Sequence, residues 1–226
     1  MTLRIFAGVI AILAGLVPAM AGAADAVPVP RGYSETMKWY SRAARAGDAQ
    51  AQYLLGEILA QGLRGKADRA KAADWFEKAA RQGHGPAAYA LGLAYESGRG
   101  RPRDPARAAE WYAVAAKKNI APAYHNLARL HETGSGVARN AGQAALFYTR
   151  AAEAGLAPSQ YNLALLYQHG IGVPKDPARA WAWFKRAEGS GFSEASGPLA
   201  QLEKTLGPEG MIRARAIFKE LVAKKP

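Results

Sequence analysis

The sequence predicts an all-α fold, an α/α solenoid of four 36-residue helix-turn-helix repeats with capping helices at both ends. Three observations predict it. An aromatic pair recurs without a gap: Trp39, Trp75, Trp111, Phe147 and Trp183 stand 36 residues apart, each followed by Tyr40, Phe76, Tyr112, Tyr148 or Phe184. Small residues keep the same register, with Ala43, Ala79, Ala115, Ala151 and Ala187 in one column and Gly47, Gly83, Asn119, Gly155 and Gly191 in another. The Asn identifies that column as helix ends, because after glycine it best tolerates the left-handed conformation that stops a helix. Between these stops runs an apolar stripe at steps of four: Ala51, Leu55 and Leu59, then Ala87, Leu91 and Tyr95, then Ala123, Leu127 and His131, then Ser159, Leu163 and Tyr167.

From the N-terminus, Arg4 precedes an uninterrupted apolar run from Ile5 to Val17, and Pro18 leads into Ala19-Met20-Ala21 and Ala21-Gly22-Ala23. That is the pattern of a cleavable secretory signal over residues 1–23. The 13-residue run is short of the ~20 residues a membrane-spanning helix needs. Residues 24–32, with Pro28 and Pro30, read as a disordered lead-in, and residues 33–48 as a lone N-terminal helix.

The repeats are expected at 49–84, 85–120, 121–156 and 157–192. In each, the first helix ends at a glycine (Gly62, Gly98, Gly134, Gly170) and a short loop leads to Asp68, Asp104, Asn140 or Asp176. These four are expected N-caps, and Pro105 and Pro177 occupy the first helical position, where a missing N–H costs nothing. A small residue beside the central Leu (Gly56, Gly92, Ala128, Ala164) lets a neighbour approach. Helices of three turns do not persist alone in water, so stacking is obligatory. Over 193–226 the pattern fades: Gly197-Pro198 interrupts it and Lys219 stands where the next Trp would fall. These are expected capping helices, with Met211, Ala214, Ile217, Phe218 and Leu221 sealing the last repeat.

Half of the residues are hydrophobic, enough for a substantial core, and there is no cysteine, so neither disulfides nor thiolate metal sites contribute. The whole chain carries +12; loss of Arg4 with the signal leaves 29 basic against 18 acidic residues, +11, spread along the chain. That excess favours anionic partners at long range.

Other motifs reduce to structure. Gly98-Arg99-Gly100, Gly134-Ser135-Gly136 and Gly170-Ile171-Gly172 lie between helices, whereas a phosphate-binding glycine loop follows a strand. His125 and His131 replace tyrosines of their columns, and the four histidines lack ligand spacing, so no metal or other cofactor is expected. No nucleophile elbow, Ser-x-x-Lys motif or convergent acid pair appears, so the chain is not expected to be an enzyme. Asp74 with Lys78 and Glu77 with Arg81 read as i, i+4 surface pairs, and the Trp column as buried between units.

The stretch from Ala157 to Pro177, with Tyr161-Asn162-Leu163 and the loop Gly170 to Val173, followed by Trp183-Phe184, resembles the Sel-one-like repeat, a longer-looped relative of the tetratricopeptide repeat. The likeness runs from Trp39 to Phe192 and includes the loop Gly134 to Val137; Leu202 to Leu221 is similar to that family's closing helix pair. The first repeat departs from the pattern at Gly62 to Ala67, where the second glycine is shifted and the Val is missing. The resemblance implies a right-handed superhelix and scaffold or adaptor work, with first helices lining a concave surface that holds a peptide or protein. The candidate residues on that surface are Tyr53 and Glu57, Tyr89 and Leu93, His125, Asn126 and Arg129, and Tyr161, Asn162 and Leu165. Rings give contact area at low entropic cost and amides bond a peptide backbone. With the export signal, the expectation is a periplasmic scaffold for a protein partner, with no membrane span after cleavage and no nucleic acid. Two competing expectations are a binder of anionic envelope polysaccharide or lipid headgroups and, far behind, a cell-wall hydrolase.

Overall fold

The computed structural model describes residues 33–62 and 66–223. The signal segment 1–23, the lead-in 24–32 and the shifted loop glycine Gly65 lie outside the described residues. The account below concerns the compact unit that begins at Met37. Among the described residues all regular structure is helical: α1 (Tyr33–Arg45), α2 (Ala49–Gln61), α3 (Arg69–Arg81), α4 (Gly85–Ser97), α5 (Pro105–Ala116), α6 (Ala121–Thr133), α7 (Ala141–Glu153), α8 (Ala157–His169), α9 (Pro177–Gly189), a 3₁₀ turn Ser193–Ala195, α10 (Ser196–Thr205) and α11 (Gly207–Ala223). None of these helices is long and apolar enough to cross a membrane.

The helix ends follow from residue types. Asp68, Asn140 and Asp176 each accept the backbone N–H three residues on at 3.0 Å, and Asp104 accepts those of Ala106 and Arg107 at 3.1 Å. The first helices stop at glycines in the left-handed region, and past each second helix lies another left-handed residue. Asn119, φ 58°, is the one non-glycine among the described residues there.

From α2 to α9 consecutive helices pack on one another, which is the solenoid arrangement. Buried apolar side chains form one cluster through repeats 1 to 3 and a second from repeat 3 to the C-terminal helices. α9 is covered by both α10 and α11, and Ala214, Ile217, Phe218 and Leu221 of α11 pack into the second cluster.

The aromatic pair divides its work differently from the sequence expectation. Phe76, Tyr112, Tyr148 and Phe184 are the buried column, whereas Trp75, Trp111 and Phe147 are half-buried and Trp39 is 39 % exposed. Only Trp183, where α9 carries the extra cover of α10 and α11, is buried. The physical reason is close approach: a Cβ on Gly56 or Gly92 would stand 2.5 or 2.6 Å from the ring of Phe76 or Tyr112, so the small residue admits the second aromatic and not the Trp.

The ion pairs also differ from expectation. Asp74 pairs with Arg101 of the next repeat at 2.7 Å, while Lys78 lies 4.2 Å over the Trp75 ring. Glu77 does pair with Arg81, at 2.6 Å, and also reaches Arg101 at 3.3 Å.

Candidate functional site

The first helices α2, α4, α6 and α8 present one column of rings, Tyr53, Tyr89, His125 and Tyr161, each half-buried. Each ring leans on the buried aromatic of its own second helix: Tyr53 on Phe76 (5.9 Å between centroids), Tyr89 on Tyr112 (5.7 Å), His125 on Tyr148 (5.5 Å) and Tyr161 on Phe184 (5.4 Å). Tyr53 also meets the His84 ring at 4.9 Å and Tyr161 the Phe192 ring at 5.2 Å, so the rings are held in place while each keeps part of its surface exposed, the condition for a rigid contact surface.

Between repeats 2 and 3 the face is polar. The Tyr112 hydroxyl donates to Glu96 Oε2 at 2.5 Å, and the other oxygen of Glu96 takes the Arg129 guanidinium, making an ion pair across the junction. Asn126, nearly enclosed, sets its amide against the hydroxyls of Tyr89 and Tyr112. Burial, then the hydrogen bond to Glu96, pushes the Tyr112 phenol far above its ordinary value. The next junction repeats the device: Tyr148 donates to Glu132 at 2.7 Å, with Asn162 against its hydroxyl, and its pKa is likewise raised by burial and then by Glu132. His125 bonds the enclosed Ser159 hydroxyl at 2.8 Å, and burial, aided by Arg129, holds its pKa below the usual imidazole value.

Between repeats 1 and 2 the same columns are apolar, with Ala60 in the position of Glu96 and Ala90 in that of Asn126. Leu93 is 40 % exposed there. Glu57 is half-buried and accepts from Gln61 Nε2 at 3.2 Å; burial raises its carboxyl above the usual glutamate value. Leu165, in the column of Leu93 and Arg129, is half-buried.

The ten candidate residues therefore share one face, but their availability differs. Tyr53, Tyr89, His125, Tyr161, Leu93 and Arg129 offer surface, whereas Asn126 is largely consumed by its tyrosine neighbours. Sequence reasoning missed Glu96 and Glu132, although the coincidence of Glu with a Tyr sixteen residues on, at 96/112 and 132/148, was a readable signal. It also missed Gln52 and Gln160, buried amides that bond the carbonyls of Ala44 and Ala152 at 3.1 Å in the preceding helices.

The glycine loops serve stacking. A Cβ on Gly136 (φ 73°) would collide with the carbonyl of Pro105 in the repeat before it, and Gly100 and Gly172 meet Arg69 and Ala141 in the same way. His84 caps α4, accepting the Ala87 N–H at 3.2 Å on Nδ1, which leaves Nε2 to donate to Gln50 at 2.8 Å. No cluster of three or more metal-capable side chains occurs among the described residues.

An array of stacked helix pairs in a fixed 36-residue register defines a repeat protein of the α/α solenoid class. The family pattern described as Sel1 repeat matches residues 22–48, 49–84, 85–120, 121–156 and 157–191, so the chain belongs to the Sel1 repeat family. The fold is similar to that of a Sel1 repeat protein from Oxalobacter formigenes, 33 % identical, over 86 % of this chain and 81 % of that one, TM-score 0.73. It is also similar to c5321, a protective antigen of uropathogenic Escherichia coli strains with an SLR fold: 28 % identity over 87 % of this chain, TM-score 0.55, with this chain spanning 50 % of that protein. No curated protein matches the chain. Proteins built of Sel1 repeats generally mediate protein–protein interaction and are typically non-catalytic.

Proposed function

We propose that this protein is an exported, periplasmic scaffold that holds a protein partner on the face of its first helices. The observation that carries the reading is the partly exposed aromatic column, Tyr53, Tyr89, His125 and Tyr161, each ring braced by a buried aromatic of its own second helix. Rings held in this way lose little entropy on contact, so their exposed parts are suited to binding. The signal pattern at residues 1–23 supports the compartment.

The test places a photo-cross-linking amino acid at Leu93 or Arg129 on this face, and at Leu146, 48 % exposed on the second-helix side, as control. A discrete adduct from positions 93 and 129 in intact cells, with none from 146, is the expected result. Equal labelling from all three, or none from the face, overturns it. Fractionation of the same cells, with N-terminal sequencing of the product, checks export and cleavage. The competing reading, an anionic envelope polymer held by the positive surface, requires binding that collapses as salt rises from 50 to about 500 mM, since screening shortens the reach of exposed charges.

A further inference from the structure

The three junctions between repeats use equivalent positions but fill them differently. Glu96, Tyr112 and Asn126 close the wedge between repeats 2 and 3, and Glu132, Tyr148 and Asn162 close the next. Between repeats 1 and 2 the corresponding residues are Ala60, Phe76 and Ala90: two truncated side chains and a ring with no hydroxyl to satisfy. A cleft of about 320 Å³ opens there, with the Phe76 ring among its lining and Leu93 at its edge. Its size sits at the lower end of ordinary ligand pockets, ~300 to 1,000 Å³.

Its rim is cationic. Arg69 and Arg99 line it, and neither has a carboxylate within ion-pair distance among the described residues. The nearby acids are already engaged: Asp68 with Lys71, and Asp74 and Glu77 with Arg101. Glu57 is the one acid lining the cleft, and its carboxylate accepts from Gln61.

We propose that this cleft receives one large apolar side chain, of phenylalanine or leucine size, from a partner segment whose flanking residues are acidic and pair with Arg69 and Arg99. The proposal rests on the reading of the first-helix face as the partner surface and makes it specific: repeats 1 and 2 hold the anchor.

The experiment titrates the isotope-labelled, folded chain by NMR with a nonapeptide that has a central phenylalanine among aspartates and glutamates. Two control peptides replace the phenylalanine with serine or the acids with lysines. Amide shifts should centre on Ala60, Ala90 and Leu93, and each change of peptide should weaken binding at least tenfold. The variant Ala60→Glu/Phe76→Tyr/Ala90→Asn copies the filled junction of the next repeat and should abolish the shifts. The surface variant Arg69→Glu/Arg99→Glu, which leaves the core untouched, should reverse the preference in favour of the lysine peptide. Unchanged binding by the arginine variant, equal binding of acidic and basic peptides, or shifts centred away from this junction would overturn the proposal. Cross-linking at Arg129 that persists in the filled variant would locate the failure in the cleft and leave the scaffold reading intact.

Discussion

At the scale of the residue, the array is governed by matched pairs in equivalent columns. Within the four full repeats, where the second-helix aromatic is Tyr, the position sixteen residues before it is Glu; where it is Phe, that position is Ala60 or Gln168. A buried hydroxyl without an acceptor costs ~1 to 3 kcal/mol, so Glu96→Ala should destabilise by about that much. Tyr112→Phe in the same background should recover most of the loss, since it recreates the combination Ala60 and Phe76. Chemical denaturation of the two single variants and the double variant checks this, and additive effects would show that the hydroxyl and carboxylate are energetically independent. Gln168 fits the same logic from the other side: its Oε1 is enclosed with no partner, and Phe184 has no hydroxyl to offer it.

These pairings explain what could be read in advance. The caps, the left-handed Asn119 and the sealing face of α11 were legible because each is dictated by residue type and local spacing. Which member of the Trp-aromatic pair turns inward was not, because both columns are equally apolar and the choice depends on a glycine in another helix. The partners of Arg101 and Arg129 were equally hidden: they lie 24 to 33 residues away, and only the stacking geometry brings them close.

At the scale of the element, the loop between the two helices of a repeat is a docking piece. Gly136 combines a left-handed backbone with contact against Pro105, and a side chain there meets backbone rather than a flexible tip. Gly136→Ala should therefore cost ~2 kcal/mol or more, adding backbone strain to overlap. Gly155→Ala, also left-handed at φ 89° but with open space around it, should cost less. Comparing their thermal midpoints separates the two contributions, and equal losses would mean that the inter-repeat contact is irrelevant. At the end of the array no further loop arrives; Arg213 of α11 reaches Asp176, the cap of α9, at 2.5 Å instead.

At the scale of the whole molecule, stability should respond to pH through imidazoles held neutral inside the stack. Burial depresses the pKa of both His84 and His125 below the ordinary value of about 6.5. Below that value the unfolded chain takes up protons that the folded one refuses, so stability should be flat above pH 7 and fall between pH 7 and 5.5. The lowered carboxyls of Asp68, Glu77 and Glu188 lose their contribution only at more acidic pH, and Glu57, raised by burial, opposes them there. Thermal midpoints across this range test the expectation; a flat profile from pH 7 to 5.5 would show that the two rings titrate freely. Replacing His84 with Gln should reduce the slope.

The loop contacts of Gly100, Gly136 and Gly172 all point the same way, each seated on a helix start belonging to the repeat synthesised before it. A ribosome releasing this chain therefore delivers each of these three loops after its seat already exists. The array can grow in the order in which it is translated, each finished repeat acting as the mould for its successor.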